Sequence, residues 1–227
     1  MKNTAALTRA TVVASLVACG VVTVIAVLLM PDFTGGEDEW LRAIAAAPTA
    51  SAVSALLYVG SQLPFAVGLA GVAHLLRERT PVLAALGALL AVLGAFGHAV
   101  YGGVNVVMLS MADNLDDVTV HTAVLKDAAG GVAIPFMAMG LIGTVLGLVL
   151  LGVAVWRAQL GPRWLGPVLV AFVVVEFAGA GISAWAGYAS GVLFLLGFLA
   201  LALTVARSTT DAWTTAGQDN PREPVMA

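Results

Sequence analysis

This 227-residue chain has little charge. Asp, Glu, Lys and Arg together make up 10% of it, against about 25% in soluble domains. With a net charge of −3 and no cluster of Lys or Arg, it has no electrostatic footprint for nucleic acid, and none is expected as a partner. One cysteine, Cys19, is present, which excludes an intrachain disulfide and a zinc site built from thiolates. Period-two alternation is missing from the apolar runs, which excludes a transmembrane barrel. No P-loop, nucleophile elbow or zinc-helix signature occurs. The two halves show no convincing repeat of the kind that builds inverted-repeat transporters.

Hydrophobicity fills the space: 60% of residues are apolar, and several runs reach the roughly 20 residues a spanning helix needs. The expected fold is all-α, a polytopic transmembrane bundle of six spans at about 11–30, 50–76, 81–111, 128–156, 164–188 and 189–206. The first span is too long for a signal peptide and lacks an A-x-A-like site, so it is expected to be retained. Between spans one and two, EDEWLRAIAAA is expected to form a short interfacial helix anchored by Trp40. Pro64 predicts a kink in the second span, and Pro81 opens the third. His121 to Asp127 reads as a helical lead-in to the fourth span. The tail at 207–227 is polar and expected to be disordered.

Lys and Arg placement sets the orientation. Lys2, Arg9, Arg77, Arg79, Arg157, Arg163, Arg207 and Arg222 fall on one side, and Arg42 and Lys126 on the other. The positive-inside rule then puts both termini in the cytoplasm of a multi-pass cell-membrane protein.

One acid, Glu176, falls near the middle of an apolar run, WLGPVLVAFVVVEFAGAGISAWAGY. A carboxylate at that depth costs several kcal/mol unless protonated, paired or hydrated, and marks a functional site by default. Gly179, Ala180, Ser183 and Gly187 would share its helical face, and such a small stripe marks close helix packing. Glu176 is therefore expected to point into the bundle. The bland reading is a protonated acid bonded to a neighbouring helix.

Other polar side chains gather in the same half. On the third span Gly87, Ala91, Gly94, His98, Tyr101, Asn105 and Met108 recur on one face, small residues first and polar ones last. On the second, Ser54, Tyr58, Ser61 and Gln62 precede an apolar inner half. The fourth begins with His121, Lys126 and Asp127, then offers Gly140, Gly143 and Gly147 for packing. The sixth carries almost nothing polar. The pattern predicts a pocket open to the outer side and closed towards the cytoplasm, unlike a through-channel. Interfacial aromatics explain Trp185 and Tyr188 equally well, but Gln62, His98 and Glu176 are too deep for that account.

The candidate ligand-binding residues are therefore Glu176, His98, Tyr101, Asn105, Gln62, Tyr58 and Asp127. His98 counts out roughly one turn beyond Glu176, and a carboxylate beside an imidazole suits proton transfer. That pairing requires the third and fifth spans to touch. Asp127 could accept from His98 or Tyr101, or be a solvated loop charge together with Lys126. No cofactor is expected, because neither His74 nor His121 matches the depth of His98 for bis-histidine haem. No metal is expected either: Met108, Met111, Met137 and Met139 carry thioethers that suit Cu(I), but methionine is ordinary helix filler.

The segments EDEWLRAIAAAP, HLLRERTP, Lys126-Asp127 and VWRAQLGPRWLG give a layout that resembles the small six-helix membrane proteins common in actinobacteria, families of unknown function. The resemblance implies the topology and no activity. Three functions stay open: a protein binding a small or lipidic molecule in the outer pocket (transporter-like, immunity or sensory), an intramembrane enzyme acting on a lipid or isoprenoid through Glu176, and a structural subunit. The partners expected are the bilayer, a small molecule or lipid, and a second copy or another membrane subunit.

Overall fold

The structure, a computed structural model, describes residues 2–31, 33, 35–179 and 185–214. It is 86% helix and contains no strand among the described residues. Helix α1 spans Lys2–Leu28, α2 Glu37–Ala46, α3 Pro48–Leu76, α4 Pro81–Ala112, α5 Val118–Gly130, α6 Ile134–Arg157, α7 Leu165–Gly179 and α8 Ala186–Ala206. Short 3-10 turns cover Leu115–Asp117 and Thr210–Trp213.

Prolines open three of these helices, α3, α4 and α6, where a missing N–H costs nothing. Inside α3 the helix continues through Pro64. The fourth apolar stretch differs from expectation. It is broken at 131–133 into α5 and α6, with Gly130 and Gly131 on one side and Pro135 on the other. Paired glycines disfavour helix, and proline restarts one.

Helices α1, α3, α4, α6, α7 and α8 form a ring in chain order, each packed on its sequence neighbours, with α8 closing onto α1. One end of the ring is basic. There Arg9 donates to the Ser208 carbonyl (2.8 Å), Arg77 to the carbonyls of His74 (2.7 Å) and Ala212 (3.0 Å), and Arg79 to that of Ala158 (2.9 Å). These bonds gather residues 9, 77–79, 158 and 208–212 at one end. The expected disordered tail is ordered here as far as 214. Trp213 is buried, stacks on His74 and donates to Ser208 Oγ (2.7 Å). Its indole supplies the apolar contact that a purely polar tail lacks. Residues 215–227 lie outside the described residues.

The ring's centre is filled towards this basic end by Leu16, Leu69, Leu148, Leu151, Leu169 and Phe198, all fully buried. The opposite end is acidic and is covered by α2 and α5. A second core of Leu41, Ile44, Met108, Ala112 and Leu125 joins α2, α4 and α5 there, and Lys126 pairs with Glu37 at 3.7 Å. Helix α4, with 32 residues, is about 48 Å long and overreaches a ~30 Å hydrocarbon core. Its excess length carries the platform on which α2 sits.

Outward faces are apolar, with Leu63 at 73%, Phe96 at 53% and Leu196 at 50% exposure. Apolar surface on this scale suits lipid and not water. Five helices, α1, α3, α4, α6 and α8, are long and apolar enough to cross a membrane. The described part of α7 has 15 residues, about 22 Å.

Candidate functional site

The tightest contact in the ring builds one wall of the site. A Cβ on Gly143 would lie 2.6 Å from the Gly94 nitrogen and 2.7 Å from the Leu90 carbonyl. One on Gly147 would lie 2.6 Å from the Ala91 nitrogen. Glycine therefore lets the backbones of α4 and α6 touch, as small residues do between membrane helices. One turn beyond Gly94 the same face of α4 carries His98, then Tyr101, Asn105 and Met108, all facing open space.

That space has two chambers. The inner one, of about 130 Å³, is lined by Thr23 of α1, Gln62 of α3, His98 of α4, Thr144 of α6, Glu176 of α7 and Ser190 of α8, one residue from each ring helix, among others. Its floor is aromatic. Phe172 packs on Phe194 (4.9 Å between ring centres), Phe194 on Phe198 (4.1 Å) and Phe198 on Phe65 (5.7 Å). Below these rings lies the leucine core, so the cavity is closed at the basic end.

The outer chamber, of about 380 Å³, lies under α2. Trp40, Ile44 and Phe33 form its roof, and Tyr101, Asn105 and Met108 line its α4 side. Tyr58, Val27 and Glu176 border both chambers and form the neck between them. A lateral notch of about 180 Å³ opens beside His98 and Tyr101 between α4 and α6, at Phe136, Met137 and Gly140.

At the neck Tyr58 Oη and His98 Nδ1 lie 2.8 Å apart, a hydrogen bond whose donor depends on the imidazole tautomer. Ser190 Oγ contacts Glu176 Oε2, and also the Gly187 carbonyl at 2.9 Å. Having a single proton, Ser190 can donate to only one of them at a time. Glu176 is exposed. It sits 11 residues beyond Leu165 (176 − 165), about 16 Å along α7.

Glu176, Tyr58, His98, Gln62, Tyr101 and Asn105 all line this cavity. Glu176 and His98 share the inner chamber, but α6 packs between their helices, and the recorded bonds of each go elsewhere, His98 to Tyr58 and Glu176 to Ser190. Asp127 lines neither chamber and is exposed on α5, because the break at 131–133 frees α5 from the ring. Ser54 and Ser61 donate to backbone carbonyls, of Ala26 (2.7 Å) and Tyr58 (2.7 Å), so their hydroxyls are engaged in structure. Trp40, the expected interfacial anchor, is half-buried, packs edge-on to Phe33 and roofs the outer chamber. Leu41 and Ile44 draw α2 down onto α4.

The small stripe expected after Glu176 is not one helical face. Gly179 ends α7 and packs on Ala186, whereas Gly187 belongs to α8 and is exposed. Ala180 and Ser183 lie outside the described residues. The sixth helix starts earlier than expected and is not devoid of polar function, since Ser190 is buried against Glu176. Ser190 and Thr144 were missed because a lone hydroxyl in an apolar run gives no signal until its neighbour helix is known. The one available hint was that α8 must fold back along α7.

Fold and cavity together define the class: an all-helical bundle with five helices suited to crossing a membrane, built round a blind cavity. No protein family, curated protein or solved structure matches the chain.

Proposed function

We propose that this is a six-span plasma-membrane protein, both termini cytoplasmic, that binds a small or lipidic molecule in the cavity, as a transporter-like, immunity or sensory component. The carrying observation is the two-chambered cavity itself. It is closed by aromatic rings at the basic end, roofed by α2 at the acidic end, and bordered at its neck by Glu176 and Tyr58. The Lys/Arg bias supports placing the closed end in the cytoplasm and the roofed end outside. Ligand pockets of this kind run to about 300–1,000 Å³ and are mostly apolar with a few convergent polar groups. The notch between α4 and α6 supplies a lateral route for a molecule dissolved in lipid. An enzymatic reading on a lipid or isoprenoid would need an acid facing Glu176, and no second Asp or Glu lines either chamber among the described residues. The protein's partners on this reading are the bilayer, its ligand, and a second copy or another membrane subunit.

Native mass spectrometry of the detergent-purified protein, wild type beside Glu176→Gln, tests it. The expected result is a retained small molecule on wild type that is lost or depleted on the variant. A clean apo mass for both, persisting after incubation with total lipid extract, would count against the binding reading.

A further inference from the structure

We infer that the cavity selects an organic monocation, its charged centre held at the neck by Glu176 and its apolar body in the outer chamber. The inference rests on the binding reading above and adds the charge of the ligand.

Charge is the first argument. Among the described residues lining the two chambers, Glu176 is the sole Asp or Glu, and no Lys or Arg is present. Both recorded salt bridges lie elsewhere, Arg77 with Glu78 and Lys126 with Glu37. Among the described residues, the one donor at the Glu176 carboxylate is Ser190, whose proton is contested by the Gly187 carbonyl. A carboxylate has about four acceptor sites, so it can accept from an entering cation beside Ser190.

Aromatic faces are the second argument. Tyr58, Phe65, Phe172, Phe177 and Phe194 share the inner chamber with Glu176. Ring faces carry negative quadrupole charge and attract cations, more strongly where water is scarce. Phe33 and Trp40 repeat the arrangement in the outer chamber.

Size is the third. An inner chamber of about 130 Å³ resembles the ~150 Å³ cavity that admits benzene, so it takes a compact head such as a quaternary ammonium. The outer chamber, at about 380 Å³, takes a larger apolar body. The approach is also negative. Glu37, Asp38 and Glu39 stand on α2, and Asp113, Asp116 and Asp117 stand beside it, against Arg42 and Lys126. Such a rim concentrates cations at the mouth.

The test compares benzyltrimethylammonium with neopentylbenzene, which replaces its nitrogen by carbon and so removes only the charge. Binding of each to the full-length protein in detergent is followed by tryptophan fluorescence and by competition against radiolabelled tetraphenylphosphonium. The cation is expected to bind at least about tenfold tighter than its isostere. Glu176→Gln is expected to bring the two to parity, and Glu176→Asp, which keeps the charge, to retain a reduced preference. Size-exclusion chromatography of each variant controls for folding, and if Glu176→Gln does not fold, the wild-type and Glu176→Asp comparisons decide the question. Equal binding of the two probes to wild type would overturn the charge inference and leave the binding reading standing. A preference that survives Glu176→Gln would also overturn it. Binding of none of the probes would sink both.

Discussion

Two hydrogen bonds at the neck differ in how much stability they carry, because their partners differ in exposure. Ser190 donates to Glu176, and Glu176 is exposed. Ser190→Ala leaves an exposed carboxylate with its other acceptor sites unchanged, so a loss below about 1 kcal/mol is expected. Tyr58→Phe strands the imidazole of His98, which is half-buried beside the aromatic floor. An unsatisfied group there costs roughly 1–2 kcal/mol. Denaturation in mixed dodecylmaltoside–SDS micelles, followed by circular dichroism, ranks the two; Ser190→Ala as the costlier change would mean that Glu176 depends on Ser190 more than its exposure implies. Much of this cluster was legible in the chain. Tyr58 and Gln62 recur at helical spacing, as do His98, Tyr101 and Asn105, and a deep acid stands out in any apolar run. Asp127 misled because residue counting could not see that α5 leaves the ring. Ser190 and Thr144 stayed hidden because they matter through neighbours on other helices.

At the scale of elements, the glycine contact between α4 and α6 sets the wall that carries His98. Gly143→Ala puts a methyl against the backbone nitrogen of Gly94 and the carbonyl of Leu90. Neither atom can rotate away, so the helices must separate, at about 1–3 kcal/mol. Gly103 on α4 is the control, with nothing within 4 Å of its would-be Cβ. Gly103→Ala is expected to be neutral or stabilising by up to ~1 kcal/mol through helix propensity. The same micelle denaturation separates them, and equal effects would show that α4 and α6 are not in backbone contact. Hydrophobic run length gave α1, α3, α4 and α8 to within a few residues at their ends, α1 excepted, which begins at Lys2. Boundaries inside apolar sequence were harder. The 131–133 break is not accompanied by a change in hydrophobicity, so glycine and proline were the only marks.

At the scale of the whole molecule, the ring brings the chain back to the end from which α4 starts. Arg77 follows α3 and Ala212 follows α8, yet Arg77 donates to the Ala212 carbonyl. The four ring helices between them, α4, α6, α7 and α8, must therefore leave the basic end and return to it. The described part of α7 covers about 22 Å, and α8, with 21 residues, packs beside it and runs back. Six crossings follow on the proposed reading, with the basic end inside. Cysteine scanning tests this cleanly because Cys19, the sole native thiol, is buried. Single cysteines at Glu78 and Thr209 probe the basic end, and at Asp38 and Asp116 the acidic end; all four positions are exposed. A membrane-impermeant maleimide is expected to label Asp38→Cys and Asp116→Cys on intact cells, and Glu78→Cys and Thr209→Cys only after permeabilisation. The reverse pattern would invert the bundle and turn the cavity towards the cytoplasm. Labelling that splits Glu78→Cys from Thr209→Cys would require an odd number of crossings. That outcome would break the ring, because residues hydrogen-bonded to each other cannot lie on opposite faces of a membrane.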